Sequence, residues 1–546
     1  MGAWNSLINA LKPNNLASGF FLLALVLFVG VRASNLTATP LNFDEIFSVH
    51  AVRHDWSGLI HFVRRDMVHP PLFYVLLKIW VEVGGESLLW LRLFGILIAT
   101  ISIFPLLGVC RQLNLSATER NLAVGLIAVN GFLVYYSQFL RMYGLLLFLS
   151  LSSLWLFVRF LKSRVASWRL LWALLFVNLM LVFTHYFGWF IVGSELVYLS
   201  GYELVRHFAS SASSPNGFTR FESAGGDQDS LGSWPAQRFR FLLASLVAIA
   251  FCFSPWIFMV AQVYSERGLH DNLSWMDLPH LRSVADFFTE LNGNPFSFRR
   301  SGRLGLLLYG CPIILWGCQI FLNSRGRLKQ ETSTFSLLFV FGFLPVFLVY
   351  ASRFWLPRAL ILVAVPYLIL VAVALNRLRP RWASTAGLSL VLAWGIIAGF
   401  QTLSMGFSCE VCPRPLHRGI RMDSWAQQIA QSEPATTNDV KVYALDSQTA
   451  YITWFHLTSN TQSFEVIVVG TIDNNWLARE MFQSVAINDL TALEGDHFWI
   501  AVDDNLWRHQ RTPQEIFKDA GYHVGNGFEG GQEGRKTRIF PVWRST

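Results

Sequence analysis

Between Leu88 and Cys110 the chain runs 23 residues with one charge, Arg92. A helix rises 1.5 Å per residue, so such a run crosses the ~30 Å hydrocarbon core of a bilayer. Similar runs recur at about Gly19–Val31, Leu122–Tyr135, Tyr143–Phe160, Leu170–Phe183, Gly188–Leu204, Phe241–Val263, Leu304–Leu322, Phe335–Ala351, Leu356–Leu375 and Ala386–Leu403. Lipid offers backbone groups no partner, so each run has to close its own hydrogen bonds as a helix. The chain is 53% hydrophobic and 14% charged, against about a quarter charged in soluble domains. An α-helical polytopic membrane protein with about 11 transmembrane helices is expected. The net charge of +8 is then a matter of loop positions and gives no reason to expect a nucleic-acid partner.

The short loops set the orientation. Arg111 and Arg120, then Lys162, Arg164 and Arg169, then Arg325, Arg327 and Lys329, then Arg377, Arg379 and Arg381 stand in four of them, against Glu119 and Glu331. Basic loops stay cytoplasmic. The N-terminus is then inside, and the first loop (32–87), the second long loop (264–303) and the tail from 404 are outside. The Ser-, Gly- and Asp-rich stretch 205–240 reads as a cytoplasmic linker. In the first loop Trp56, Leu59, Ile60, Val63 and Met67 recur at helical spacing, as do Leu281, Val284, Phe288 and Leu291 in the second; both suit interfacial helices. Leu72–Val83 is apolar but too short to span.

Residues 1–403 are thus expected as a membrane domain, and 404–546 as a small extracytoplasmic domain. In the tail KVYAL, FEVIVVG, HFWIAVDD and TRIFPVW read as strands and WLAREMFQSV as a helix, an α/β pattern. Cys110, Cys252, Cys311 and Cys318 read as packing residues. Cys409 and Cys412 are one CEVC pair, too few for a four-ligand zinc site and open to either a disulfide or two thiols. The first apolar run carries no small-residue cleavage site and reads as a retained span.

The chemistry gathers at the outer ends. Asp44 and Glu45 follow the first span, and His69-Pro70-Pro71 comes about 25 residues later. Ionisable groups at a membrane face are costly and mark chemistry or a substrate path. The acidic pair could also cap the following helix. Arg64, Arg65, Arg141, Arg299, Arg300, Arg303, Arg353 and Arg358 all fall outside, where arginine is disfavoured. One or two would be snorkelling side chains; eight point to an anionic ligand, for which guanidinium is well shaped. YYSQFLRMY (Tyr135–Tyr143), THYFGWF (Thr184–Phe190) and SRFWLPR (Ser352–Arg358) come to the same face. A carboxylate base beside cations fits transfer of a sugar from a lipid phosphate to an acceptor hydroxyl or amine. A monophosphate leaving group could be met by Arg and His without a metal, so no cofactor is expected and a divalent ion is not favoured.

The acidic pair, HPPLFYVLLKIW, YYSQFLRMY, THYF and RFWLPRALILVAVPYLIL together resemble the GT-C superfamily of polyprenyl-phosphate-sugar-dependent glycosyltransferases. They are most similar to family 39, which holds the dolichyl-phosphate-mannose–protein mannosyltransferases and the aminoarabinose transferases. The resemblance covers about residues 15–380 and implies an inverting, mannosyltransferase-like enzyme of the plasma (inner) membrane. It implies Asp44 as the base with Glu45 in support. His69, where aminoarabinose transferases have a lysine, is placed near the donor phosphate with Arg141, Arg353 and Arg358, and Tyr143, His185 and Tyr186 are placed near substrate. Phe139-Leu140 replaces the Glu-Ala of bacterial relatives, so one acid is missing. Polyprenyl phosphate sugar and membrane lipids are the expected partners. The contrasting readings are a lipid or solute transporter, which would favour inverted repeats and mid-span charges, and an inert membrane anchor for the tail.

Overall fold

The computed structural model describes residues 16–38, 40–163, 167–212, 229–268, 278–293, 299–322, 329–405 and, in the tail, 419–420, 425–432, 440–458, 463–470, 472, 476–485, 490–504, 507, 511–532 and 535–544. Cys409 and Cys412 lie outside them, as do the side chains of Arg299 and Arg300. Helices follow in the order α1 (Leu16–Ala33), α2 (Phe43–Arg53), α3 (Trp56–Asp66), α4 (Leu72–Gly84), α5 (Leu88–Ile101), α6 (Ile103–Gln112), α7 (Ala117–Val129), α8 (Gly131–Gln138) and α9 (Tyr143–Lys162). There follow α10 (Trp168–Thr184), α11 (Gly188–Ala212), α12 (Asp229–Arg267), α13 (Leu281–Leu291), α14 (Arg299–Leu322), α15 (Lys329–Ser352), α16 (Ile361–Arg377) and α17 (Arg381–Met405).

Seven stretches of described helix are long and apolar enough to cross a bilayer: Leu88–Gln112, Tyr143–Lys162, Gln237–Glu266, Arg303–Leu322, Glu331–Ser352, Pro357–Arg377 and Arg381–Ala398. Ser18–Ala33 and Trp168–Thr184 are shorter apolar helices. The chain is a multi-pass membrane protein. The run expected to span from Leu122 to Tyr135 is two helices. Asn130 leaves helical geometry (ψ 114°) and its side chain accepts from Leu133 N–H, restarting the chain as α8. The same side chain donates to Leu291 O at 2.6 Å, tying the break to α13. An Asn with two such bonds competes with the helix for the backbone.

Helix α16 is buried from Ile361 to Leu375 and packs against α7 and α15. At one end Arg377 Nε meets Glu119 Oε1 at 2.6 Å, and Glu119 also closes a capping box with Ser116 at the start of α7. At the other end a 3₁₀ turn, Pro357–Leu360, carries Arg358. Arg32 donates to Ile127 O and Ala128 O, each at 3.0 Å, answering carbonyls left open at the C-terminus of α7. Inside the bundle the Glu195 carboxyl accepts from Ser153 Oγ (2.6 Å) and Asn178 Nδ2 (2.7 Å), so that a polar group is matched where water is excluded.

The short helices α2, α3 and α4 form the first loop. Asn42 caps α2, Asp55 caps α3, and Met67 ends α3 in the left-handed region (φ 56°). Buried Lys78 of α4 donates to Val52 O (3.2 Å) and His54 O (2.7 Å), fastening the end of α2. In the tail, helices α18 (Trp425–Ser432), α19 (Ser447–Leu457), α20 (Trp476–Met481) and α21 (Pro513–Asp519) accompany β1 (Gly419–Ile420), β2 (Val440–Ala444), β3 (Phe464–Val469), β4 (Ser484–Val485), β5 (His497–Asp503), β6 (His523–Val524), β7 (Phe528–Gln532) and β8 (Arg535–Trp543). The strands make one mixed sheet ordered β1-β7-β8-β5-β2-β3-β4, with β6 on β8. Strands β5, β2, β3 and β4 run parallel, while β8, β7 and β1 add antiparallel.

Candidate active site

Two adjacent carboxylates have different surroundings. Successive residues on a helix point about 100° apart, so Asp44 and Glu45 in the first turn of α2 face different neighbours. Glu45 turns inward and is buried. Its Oε2 accepts from Asn42 N–H at 3.0 Å while Asn42 Oδ1 accepts from Glu45 N–H, a complete capping box. Its Oε1 accepts from Leu140 N–H at 3.0 Å, and Arg92 lies 3.6 Å away. Arg92 in turn donates to Leu36 O and Pro40 O. Glu45, expected beside the base, is thus committed to joining the loop, α5 and the turn before Arg141. The cap is Asn42, with Glu45 closing the box. Asp44 is only part-buried, and its Oδ2 takes a 2.6 Å ion pair from Arg358 Nη1.

Arg141 stands in the turn between α8 and α9, a turn set up by the break at Asn130. Nη1 donates to Asp44 O (3.3 Å), Tyr74 OH (3.2 Å) and Ser48 Oγ (3.5 Å), and Nη2 lies 3.4 Å from His69 Nδ1. Burial works against its charge, but Tyr74, Asp44 and Tyr143 more than restore it and hold the guanidinium above its usual range. Arg358 lies 5.9 Å over the ring of buried Tyr143. His69 and His185 meet edge to face at 5.3 Å. Burial first, then Arg141 and Arg358, drive the proton off His69. His185 is likewise held neutral by burial, His69 and the two arginines. Its Nδ1 accepts from Phe187 N–H at 3.0 Å, which leaves the ring proton on Nε2. The Nε2 atoms of both rings are buried and have no hydrogen-bond partner among the described residues.

The geometry adds one residue that the sequence reading passed over. Asp66 closes α3, and its Oδ2 lies 3.5 Å from His69 Nδ1. Burial raises its carboxyl to about 6; Arg141 pulls it down, Asp44 pushes it up, and Val68 N–H pulls it down. Its spacing of three residues before His69 was the available signal. Tyr186 faces the cluster differently than expected: its hydroxyl donates to Met67 O (3.2 Å) and accepts from Trp256 Nε1 (3.1 Å), bracing the left-handed residue that leads to His69. Arg353 does not join. It is exposed at the end of α15 with φ 63°, and no contact among the described residues brings it to Asp44. Arg65 reaches the tail instead, pairing with Glu480. Among the described residues no three His, Cys, Asp or Glu side chains gather as metal ligands.

The structure therefore brings Asp44, His69, Arg141, Tyr143, His185 and Arg358 together from five separate stretches. The arrangement offers a carboxylate oxygen, two guanidinium groups and two neutral imidazoles in one cluster. No family model matches the chain, and no curated protein matches it. Solved structures do. ArnT from Cupriavidus metallidurans in the apo state is 15% identical, aligned over 96% of this chain and 98% of its own, with a TM-score of 0.56. The same protein bound to undecaprenyl phosphate is 14% identical over the same shares, with a TM-score of 0.55. The likeness is one of fold and runs the whole length of both chains, tail included; the GT-C-like architecture expected from the motifs is the one found.

Proposed function

We propose that the chain is an inverting glycosyltransferase that takes a sugar from a polyprenyl-phosphate-linked donor and passes it to an acceptor at the extracytoplasmic face of the plasma (inner) membrane. The observation that supports this most is the ion pair between Asp44 and Arg358, residues 314 apart, beside Arg141 and His69 on a fold shared with a structure that holds undecaprenyl phosphate. Asp44 removes the proton from the acceptor hydroxyl or amine. The acceptor atom forms a bond to the anomeric carbon as the bond from that carbon to the phosphate oxygen breaks. The polyprenyl phosphate leaves with one more negative charge than it carried as a diester. Arg358 and Arg141 meet that charge, in surroundings where a fixed cation acts more strongly than in water.

Inversion requires attack from the face opposite the leaving group. Asp44 and Arg358, in contact in this structure, part to admit the sugar ring between base and phosphate. His69 and His185, neutral and edge to face at 5.3 Å, are suited to hydrogen bonding through Nε2 with phosphate or sugar oxygens. The arginines carry the charge in this scheme and no metal is given a part in it. The test is purification in mild detergent followed by mass analysis of bound lipid, then transfer with and without chelator. A polyprenyl phosphate sugar and chelator-resistant transfer are expected. A preparation that never consumes such a donor would overturn the reading.

A further inference from the structure

The tail domain touches the first loop at the two helices that carry the site. Tyr451 of α19 packs edge-on to Phe43 at 5.3 Å between ring centroids, and its hydroxyl lies 2.9 Å from His50 Nδ1. Phe43 and His50 are seven residues apart on α2, two turns on one face, and Phe43 is the immediate neighbour of Asp44. Trp454 packs on His50 at 5.1 Å, and Arg53 lies 4.6 Å over the ring of Phe455. On α3, which ends at Asp66, Phe62 meets Trp476 at 5.5 Å and Arg65 pairs with Glu480. Helix α2 is 11 residues long, too short to persist by its own hydrogen bonds. One side is fastened to α5 and the turn before α9 through Glu45 and to α4 through Lys78; the other is covered by α19.

The hydrogen bond at His50 joins two neutral groups. Burial, with His54 and Arg53 alongside, lowers His50 to about 4, so the ring is neutral. Burial also holds the Tyr451 hydroxyl in its protonated form, well above its usual range. The two groups therefore meet as neutral partners, and the His50 tautomer sets which of them donates. We infer that the tail is a working part of the site, with Tyr451 as a positioning residue that fixes α2, and through it Asp44, by way of His50. This inference rests on the reading of Asp44 as base. Tyr451 touches no reacting atom in it; it sets where the carboxylate stands, and a displacement near 1 Å costs up to ~10²-fold in rate.

The experiment uses the full-length protein in detergent, with synthetic undecaprenyl phosphate mannose as probe and water as acceptor where no other is supplied. Tyr451→Phe and His50→Gln are each expected to lower the saturated rate of donor consumption about 10-fold. The donor concentration for half-saturation and the melting temperature should stay as in the wild type. Because both changes remove one bond, the double variant should be no slower than the slower single one. Amide exchange across residues 43–53 should quicken in Tyr451→Phe without ligand. Arg65→Glu and Glu480→Arg should each slow consumption, and the pair together should restore it. Wild-type rate and exchange in Tyr451→Phe, fully multiplicative losses in the double variant, or no rescue by the charge swap would each overturn the inference. Asp44→Asn in the same assay separates the two ideas. If it is inactive while Tyr451→Phe is normal, only the positioning role falls. If it is as active as the wild type, the base assignment falls.

Discussion

Exchanging one carboxylate for an amide at two neighbouring positions should have opposite consequences. Glu45 is about 2% exposed and accepts from two backbone N–H groups while facing Arg92. In Glu45→Gln one oxygen becomes an NH₂ group, so one of the two N–H donors meets another donor. Losing a bond to a charged acceptor costs about 1.5–3 kcal/mol. Arg92, buried at 3.6 Å, also loses its counter-charge; its remaining carbonyl partners Leu36 and Pro40 limit that loss. A total near 3 kcal/mol is expected, toward the low end of what breaking a buried pair costs. Asp44 is part-buried with its carboxylate on Arg358, so Asp44→Asn should leave stability within about 1 kcal/mol, as for a partly exposed pair. Its transfer rate should fall by at least ~10²-fold, the loss of a general base. The assay is equilibrium unfolding in mixed micelles beside single-turnover donor consumption. Glu45→Gln should unfold early and lose no more than about 10-fold in rate per folded molecule, as for other fastenings of α2, while Asp44→Asn should keep its stability and lose at least ~10²-fold. If Glu45→Gln is as stable as wild type and inactive, the division of roles between the two is wrong.

Arg358→Ala and Arg141→Ala should each raise the donor KM about tenfold or more, since each removes a charge-assisted contact; unchanged donor kinetics in both would remove the phosphate clamp. Asp66, raised to about 6 from an ordinary 3.8, binds its proton more tightly in the folded state. The Asp66 contribution to stability should therefore fall as pH rises from about 4 to about 6 and level off above, because at this group the native state binds more protons across that window; His50, His69 and His185, held neutral by burial, contribute the opposite slope. Asp66→Asn should therefore make stability rise more steeply with pH between about 4 and 6 than in the wild type, measured as the unfolding midpoint against pH; an unaltered slope would refute the Asp66 contribution.

The membrane helices were legible because an apolar run of bilayer length has one fate in lipid. The convergence of Asp44, His69, Arg141, His185 and Arg358 was legible because alternating spans return every second connection to one face. The division of labour between Asp44 and Glu45 was not. It depends on Arg92 and Leu140, which reach Glu45 only after α5 and the turn before α9 are packed. Asp66 was hidden in an amphipathic helix whose last polar residue reads as solvated, although α3 delivers it to His69. Arg353 was included for its position between two spans, but lying at an outer edge does not bring an arginine to the site. Asn130 is a single polar residue in an apolar run, and only its tie to Leu291 shows why the helix breaks there. The docking of α19 on α2 joins segments about 400 residues apart, and no local pattern announces such a contact.

The buried helix α16 is anchored by an ion pair at each end. Arg358, in the turn before it, holds Asp44, and Arg377 holds Glu119 near the opposite membrane boundary. A rod so fixed and so enclosed can neither slide nor rotate without breaking the far pair and unseating its neighbours. In the proposed scheme, the opening between Asp44 and Arg358 then falls to the long guanidinium side chain, which can swing about its own bonds with the backbone of α16 standing still. In that scheme the membrane half acts as a jig, and the moving part is a single arm.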